Sequence, residues 1–160
     1  MQGHPEIITH LNDLLAGELT AIDQYFIHAR MYEDWGYQKL YARVDHERED
    51  EIGHADALVK RILFLQGRPD VATRAPLRIG TDVPEMLRND LALEHEVVDH
   101  LRRVIAACEA AADFVTRDML VQMLDDTEQD HAHWLEIQLR LIEHLGLPRY
   151  LQSQTEAAPG

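Results

Sequence analysis

The sequence predicts an all-α fold: a four-helix bundle with one long crossover and a short fifth C-terminal helix. Three observations lead there. Four long stretches carry apolar side chains at the alternating three- and four-residue spacing of a bundle seam. Aromatic residues make up only 6% of the 160-residue chain and charged residues 28%, a composition that suits long amphipathic helices. The connections after the first and third stretches are short, whereas the one after the second is long and polar.

The elements follow in order. Helix one runs from about Pro5 to Asp34, with Pro5 suited to a first turn and Trp35-Gly36 as its stop. Helix two runs from about Gln38 to Gln66, ended by Gly67 and Pro69. The connection Arg68 to Asp82 contains Pro69, Pro76 and Gly80 and is long enough to cross the bundle lengthwise. Helix three starts near Val83-Pro84-Glu85 with Asp82 as its cap and reaches about Ala111. Asp113 caps helix four, which continues to about Leu145 and is broken by Gly146-Leu147-Pro148. Arg149 to Gln154 forms the short fifth helix, and the tail 155–160 is expected to fray. Short turns make two antiparallel hairpins, and one long crossover joins them in a single domain spanning 1–160.

Composition excludes several functions. The formal net charge of −14 argues against nucleic acid, because a phosphate binder needs a basic face. The same charge attracts cations. No apolar run approaches the roughly 20 residues that span a bilayer, so no membrane partner is expected. The N-terminus Met1-Gln2-Gly3-His4-Pro5-Glu6 lacks a basic and then apolar leader pattern, and a cytoplasmic location is the expectation. The lone Cys108 has apolar helical neighbours and reads as a small core residue.

The candidate chemistry lies in two Glu-x-x-His pairs, Glu51/His54 and Glu128/His131, each with a lone glutamate on the preceding helix, Glu18 and Glu94. The pairs alone prove little. Fourteen Glu and ten His in this length give roughly one such pair by chance. Register is the stronger argument. The inward stripe of helix two reads Val44, Glu47, Glu51, His54, Leu58, Ile62, Leu65, and that of helix four Val121, Leu124, Glu128, His131, Leu135, Gln138, Ile142, Leu145. Glu18 falls in line with Leu11, Ile22, Tyr25 and Ala29, and Glu94 with Leu87, Leu91, Val98, Leu101 and Ile105. All four apolar stripes are interrupted by acid near mid-helix. A buried carboxylate without a partner costs several kcal/mol or more, and no Lys or Arg is expected at an inward position nearby. Two divalent ions would balance four carboxylates, with two imidazoles completing a di-iron-type ligand set. Oxygen and nitrogen donors without thiolate suit iron or manganese, and zinc could also bind. The spacings Glu18 to Glu51 and Glu94 to Glu128 differ by one residue, so each hairpin contributes a similar half-site.

The chain resembles the bacterioferritins and related bacterial ferritins over nearly its whole length. The resemblance is carried by Leu14-Leu15-Ala16-Gly17-Glu18-Leu19, Gln24 to Met31 (QYFIHARM), Glu51-Ile52-Gly53-His54-Ala55-Asp56, Arg61-Ile62-Leu63-Phe64-Leu65, Asp90-Leu91-Ala92-Leu93-Glu94, Trp134-Leu135-Glu136 and Tyr150-Leu151-Gln152-Ser153-Gln154. It implies a ferritin-like four-helix bundle that assembles as a 24-subunit hollow shell, either of this chain alone or mixed with a haem-binding bacterioferritin subunit. It implies a ferroxidase that oxidises Fe(II) with dioxygen or peroxide and stores ferric mineral, with a ferredoxin-type reductant as one candidate donor for iron release. It also implies roles. Glu18 and His54 would be terminal ligands of one iron, Glu94 and His131 of the other, and Glu51 and Glu128 the bridges. Tyr25 would be a hydrogen-bond partner or electron donor beside them, and His46 and Asp50 would bind iron on the cavity surface.

One departure is large. Haem-binding members carry a methionine where this chain has Ile52, which offers no ligating atom, so haem b is not expected in a pure shell. Gly53 beside it is a poor mid-helix residue, costing about 1 kcal/mol against Ala. Other readings remain open at this point: a manganese-catalase-like or rubrerythrin-like di-metal enzyme, although no Cys-x-x-Cys is present, a non-catalytic structural bundle, or a haem-only electron carrier.

Overall fold

The computed structural model describes residues 1–156; beyond Glu156 the expected frayed tail lies outside the described residues. The helices are α1 (Pro5–Asp34), α2 (Gln38–Phe64), α3 (Val83–Ala110), α4 (Phe114–Asp125), α5 (His133–Leu145) and α6 (Leu147–Ser153). α4 and α5 form one rod, joined by a π-helical segment, Asp126–Ala132. There is no strand among the described residues, and no helix is long and apolar enough to cross a membrane.

Local chemistry sets the boundaries. Pro5 sits in the first turn of α1. The Asp82 carboxylate accepts from the Glu85 amide at 2.9 Å, and Asp113 accepts from the Thr116 amide at 3.1 Å, each satisfying an N-terminal amide that has no partner within its helix. After α2 the left-handed residue is Gln66 (φ +62°). Gly67 is needed for space instead, since a Cβ there would lie 2.6 Å from Ile8 and 2.9 Å from Ile62.

The expected inward stripe of the fourth helix is corrected. Upstream of the π segment the buried positions are Thr116, Leu120 and Met123, while Val121 is exposed and Leu124 half-buried. Within it they are Thr127, His131 and Ala132, and downstream Leu135 and Gln138, with Ile142 half-buried and Leu145 exposed. An α-helical period carried backwards from His131 lands one residue off, because a π turn takes up more residues than an α turn.

The crossover lies along α1. Asn12 donates to the Arg68 carbonyl (3.0 Å) and accepts from the Asp70 amide (2.8 Å). Further on, Thr20 accepts from the Ala75 amide (2.9 Å), Gln24 from Arg78 (3.1 Å) and His28 from Gly80 (3.2 Å). The strap therefore runs parallel to α1 over about 24 Å, at 1.5 Å per helical residue. That carries the chain back to the other end of the bundle and makes α3 antiparallel to α1. The same α1 face anchors α3: Gln24 Nε2 donates to Asp90 Oδ1 at 2.8 Å, and His28 Nδ1 lies 2.9 Å from it. Because His28 Nε2 accepts from Gly80, its proton is on Nδ1 and points at Asp90.

The apolar core is divided. One half gathers Ile7, Leu11, Leu15, Leu58, Ile62, Leu101 and Met123, the other Tyr25, Tyr32, Leu40, Val44, Met86, Leu87, Leu135 and Tyr150. Between them, at mid-helix, lies a polar layer. Cys108 is buried in the first half, as expected for a core residue.

Asp90→Leu should lower stability by about 2–5 kcal/mol, since it strands the Gln24 amide and the His28 ring N–H in the core. Asp90→Asn should cost less. Burial raises the Asp90 pKa, with His28 and Gln24 opposing, and an amide keeps an acceptor. Urea unfolding of the metal-free protein measures both; equal losses would contradict the network.

Candidate metal centre

The polar layer holds five of the six residues singled out by register. Glu18 (α1), Glu51 and His54 (α2), Glu94 (α3) and His131 (π segment) are all buried. His54 Nδ1 lies 3.1 Å from Glu51 Oε2 and 3.9 Å from Glu18 Oε2. His131 Nδ1 lies 2.9 Å from Glu51 Oε1 and 3.7 Å from Glu94 Oε1. The two imidazoles stack with centroids 6.0 Å apart. Two groups result, Glu18/Glu51/His54 and Glu51/Glu94/His131, each with ligand atoms within 4.8 Å of one another. Glu51 belongs to both.

The sixth residue, Glu128, is not brought in. It is half-exposed and pairs with Arg102 of α3. The cause is again the π segment, which turns Glu128 off the inward stripe. Two arginines approach from the periphery. Arg102 meets Glu128, and Arg43 meets the buried Glu47 and, at 2.8 Å, Asp130. His46 is exposed and lies 3.5 Å from Asp50. Asp50 itself belongs to a third group with Glu47, Asp130 and His131. Tyr25 is fully buried and donates to Glu94.

Sequence reasoning did not assign Glu47, Asp126 or Asp130 to the site. Glu47 was visible as a second acid on the stripe of α2, one turn before Glu51. Asp126 and Asp130 carried no periodic signal, because the α-helical period fails where they sit.

The electrostatics are those of acid buried in excess. Burial, then the neighbouring Glu51 and Glu94, push the Glu18 pKa well up. Burial raises that of Glu94 to about 7, with Glu51 adding to the shift and His131 opposing it. Burial would raise Glu51 too, but its contacts with Glu18, His131 and His54 hold it well below the ordinary carboxylate range. For His131 burial favours the neutral ring, yet Glu47, Glu51 and Glu94 hold its pKa far above the usual imidazole value. Burial and Glu94 push Tyr25 well up, so it stays a phenol. Both oxygens of Glu18 and Glu47, and one of Glu94, lack any aligned hydrogen-bond donor. Buried carboxylate oxygens without donors, beside two imidazoles and no thiolate, fit a hard divalent cation.

The match to known proteins covers the whole bundle. Residues 8–145 match the family model for the ferritin-like domain. The chain is 59% identical to a bacterial ferritin of Pseudomonas aeruginosa and 54% identical to one of Synechocystis sp., each over 96% of this chain and 99% of the relative. It is 41% identical to a bacterioferritin of Mycolicibacterium paratuberculosis over 94% of both chains. The chain belongs to the ferritin family. Its acid and imidazole groups could hold metal ions where that fold places its polar mid-layer.

The raised Glu94 pKa has a definite stability consequence. In the unfolded chain the group ionises near 4.5 and in the metal-free fold near 7, so the fold holds the extra proton between these values and loses stability as pH rises through them. Above pH 7 the penalty is about 3 kcal/mol. Glu94→Gln should therefore stabilise the metal-free protein at pH 8 much more than at pH 4.5. Urea titrations at the two pH values check this, and an equal gain at both would contradict the buried-acid assignment.

Proposed function

We propose that the chain oxidises ferrous iron at this buried centre and stores the ferric product inside a hollow shell of subunits. The observation that carries the reading is the pair of ligand groups sharing Glu51, set in an apolar core with carboxylate oxygens that no donor satisfies. Iron is substrate and cargo here. Hard carboxylates favour ferric over ferrous iron, so the site that gathers two ferrous ions also drives their oxidation. Each ferrous ion gives up one electron, and dioxygen with two protons takes both to become hydrogen peroxide. Peroxide as oxidant takes two electrons and two protons to give two waters.

In this reading Glu18 and His54 hold one ion, Glu94 and His131 the other, and Glu51 spans both. Glu128 is assigned as the second bridge, which it can serve only by giving up Arg102. Tyr25, donating to Glu94, orients that ligand and is placed to supply an electron. Asp50 and His46, next to Glu47, form a looser outer position for iron. A bundle of roughly 30-residue helices is about 45 Å long at 1.5 Å per residue, too small to enclose mineral, so storage needs a closed assembly. The exposed Phe64, Phe114 and Val115, together at one end of the bundle, support such packing.

Aerobic mixing of the metal-free protein with ferrous iron should give rapid oxidation and an iron-filled particle. Glu94→Ala should keep the helical content and slow oxidation about 100-fold or more, since a lost ligand removes several kcal/mol of metal binding. Oxidation at the wild-type rate would sink the site assignment. Sedimentation as a monomer or dimer under storage conditions would sink the shell. Peroxide disproportionation by the manganese-loaded protein would favour the catalase-like alternative.

The residues do not fit haem. Ile52 is exposed on α2 and carries no donor atom, and haem without an axial ligand loses the main bond that holds it. Gly53 beside it is exposed, and a Cβ there would meet nothing within 4 Å, so the subunit's own packing does not require it. The chain expressed alone with excess haem should purify without a Soret band, and Ile52→Met should introduce one. A haem-bearing pure shell of the unaltered chain would contradict this.

A further inference from the structure

Both imidazoles of the centre have a carboxylate behind them. His54 turns Nδ1 to Glu51 and Glu18, and its Nε2 lies 3.3 Å from Asp126 Oδ2 in an aligned hydrogen bond. His131 turns Nδ1 to Glu51 and Glu94, and its Nε2 lies 2.6 Å from Glu47 Oε2. The arrangement is reciprocal. α2 supplies His54 and the carboxylate behind His131; the opposite rod supplies His131 and the carboxylate behind His54.

A neutral imidazole carries one proton and binds metal through the other nitrogen. A carboxylate at one nitrogen draws the proton there and fixes the ring's orientation. We propose that Asp126 and Glu47 are paired positioning residues that keep the protons of His54 and His131 on Nε2 and leave both Nδ1 atoms for metal. The proposal rests on the di-metal reading of the centre.

The two carboxylates sit in different surroundings. The Asp126 side chain is 61% exposed. Glu47 is buried and is met by the Arg43 guanidinium. That guanidinium also holds Asp130 at 2.8 Å and lies 5.2 Å over the Trp134 ring, so it is tied from three sides. Neither oxygen of Glu47 lies along a ring N–H of His131 in the metal-free arrangement. The contact is close but not aligned.

The π segment makes the reciprocity possible. Residues five apart in an α-helix point about 140° from each other, at 3.6 residues per turn. In a π turn, closed by i→i+5 hydrogen bonds, they come onto the same face, much as residues four apart do in an α-helix. Asp126 and His131 are five apart and both lie in this segment. Only with this winding can one rod face α2 with both a ligand and the carboxylate for the opposite ligand.

A competing use of Glu47 is as a ligand of a third ion with Asp50, Asp130 and His131. The two uses exclude each other, because a third ion would take His131 Nε2 as its donor.

The test uses the assembled protein. Cobalt(II) is titrated by its visible bands, and zinc-loaded protein with labelled imidazole nitrogens is read by solid-state NMR. Wild type should bind two tight cobalt ions per subunit, with zinc on Nδ1 and the proton on Nε2 of both rings. Asp126→Leu and Glu47→Leu should each weaken one of the two ions by about 10–100-fold and scramble the tautomer of the matching ring only. Asp126→Asn and Glu47→Gln, which keep an acceptor, should restore most of the affinity and show that packing is not the cause. Unchanged affinities in both leucine variants, metal on Nε2, or a third tight ion lost in Glu47→Leu would overturn the positioning roles. Fewer than two tight ions in wild type would overturn the di-metal reading itself, and the proposal with it.

Discussion

The structure depends on one constraint: buried acid across the middle of an otherwise apolar core. Leu15, Leu58, Leu101 and Met123 close one half of the bundle, and Ala21, Val44, Leu87 and Leu135 the other. Glu18, Glu51 and Glu94 lie between, where hydrocarbon would be more stable. The metal-free fold tolerates them by partial neutralisation. Burial pushes protons onto Glu18 and Glu94, while Glu51 stays charged against His54 and His131. A fold selected only for stability would fill this layer with leucine. Its retention is intelligible if cations enter and replace the protons, which links the stability of the core to its occupancy.

That strain requires compensation elsewhere, and the crossover supplies some of it. The strap from Arg68 to Gly80 makes few apolar contacts of its own. It is held by the polar face of α1 through Asn12, Thr20, Gln24 and His28. Gln24 and His28 reach past it to the buried Asp90, one helical turn before Glu94. A network in which one Asp90 oxygen takes both donors, the other taking none, therefore stands beside a less partnered one on the same two helices. The first fixes the rotation of α3 about its axis, which decides where Glu94 points.

Much of this was legible in the sequence. Caps at Asp82 and Asp113, the stop at Gly36, the long polar connection and the three-four spacing define the helices and the single crossover. The acids stood out because they broke apolar stripes. What was not legible follows from one assumption, that the fourth helix keeps an α-helical period. The π segment at Asp126–Ala132 violates it. Glu128, inward by period, turns to Arg102, while Leu120 and Met123 replace Val121 and Leu124 in the core. Asp126 and Asp130 face α2 for the same reason, and no periodic pattern could have marked them. A hint was present: the glutamate spacing is one residue longer in the second hairpin than in the first.

That extra residue also explains why the two halves of the centre are not equivalent. In the first hairpin Glu51 and His54 are one regular α turn apart, and both face inward. In the second, the winding that brings His131 and Asp126 to face α2 cannot also keep Glu128 inward. Glu51 therefore spans both groups alone, and Glu128 rests against a guanidinium at the edge. A carboxylate held outside by an ion pair costs little to move, because half-exposed pairs contribute about 1 kcal/mol or less. The regular hairpin thus provides the rigid part of the site. The π-wound one provides a histidine locked between four carboxylates and a glutamate free to exchange partners. Under the proposed reading, a centre that takes iron in and then passes it on would use both kinds of side chain, and here one extra residue in the second hairpin separates them.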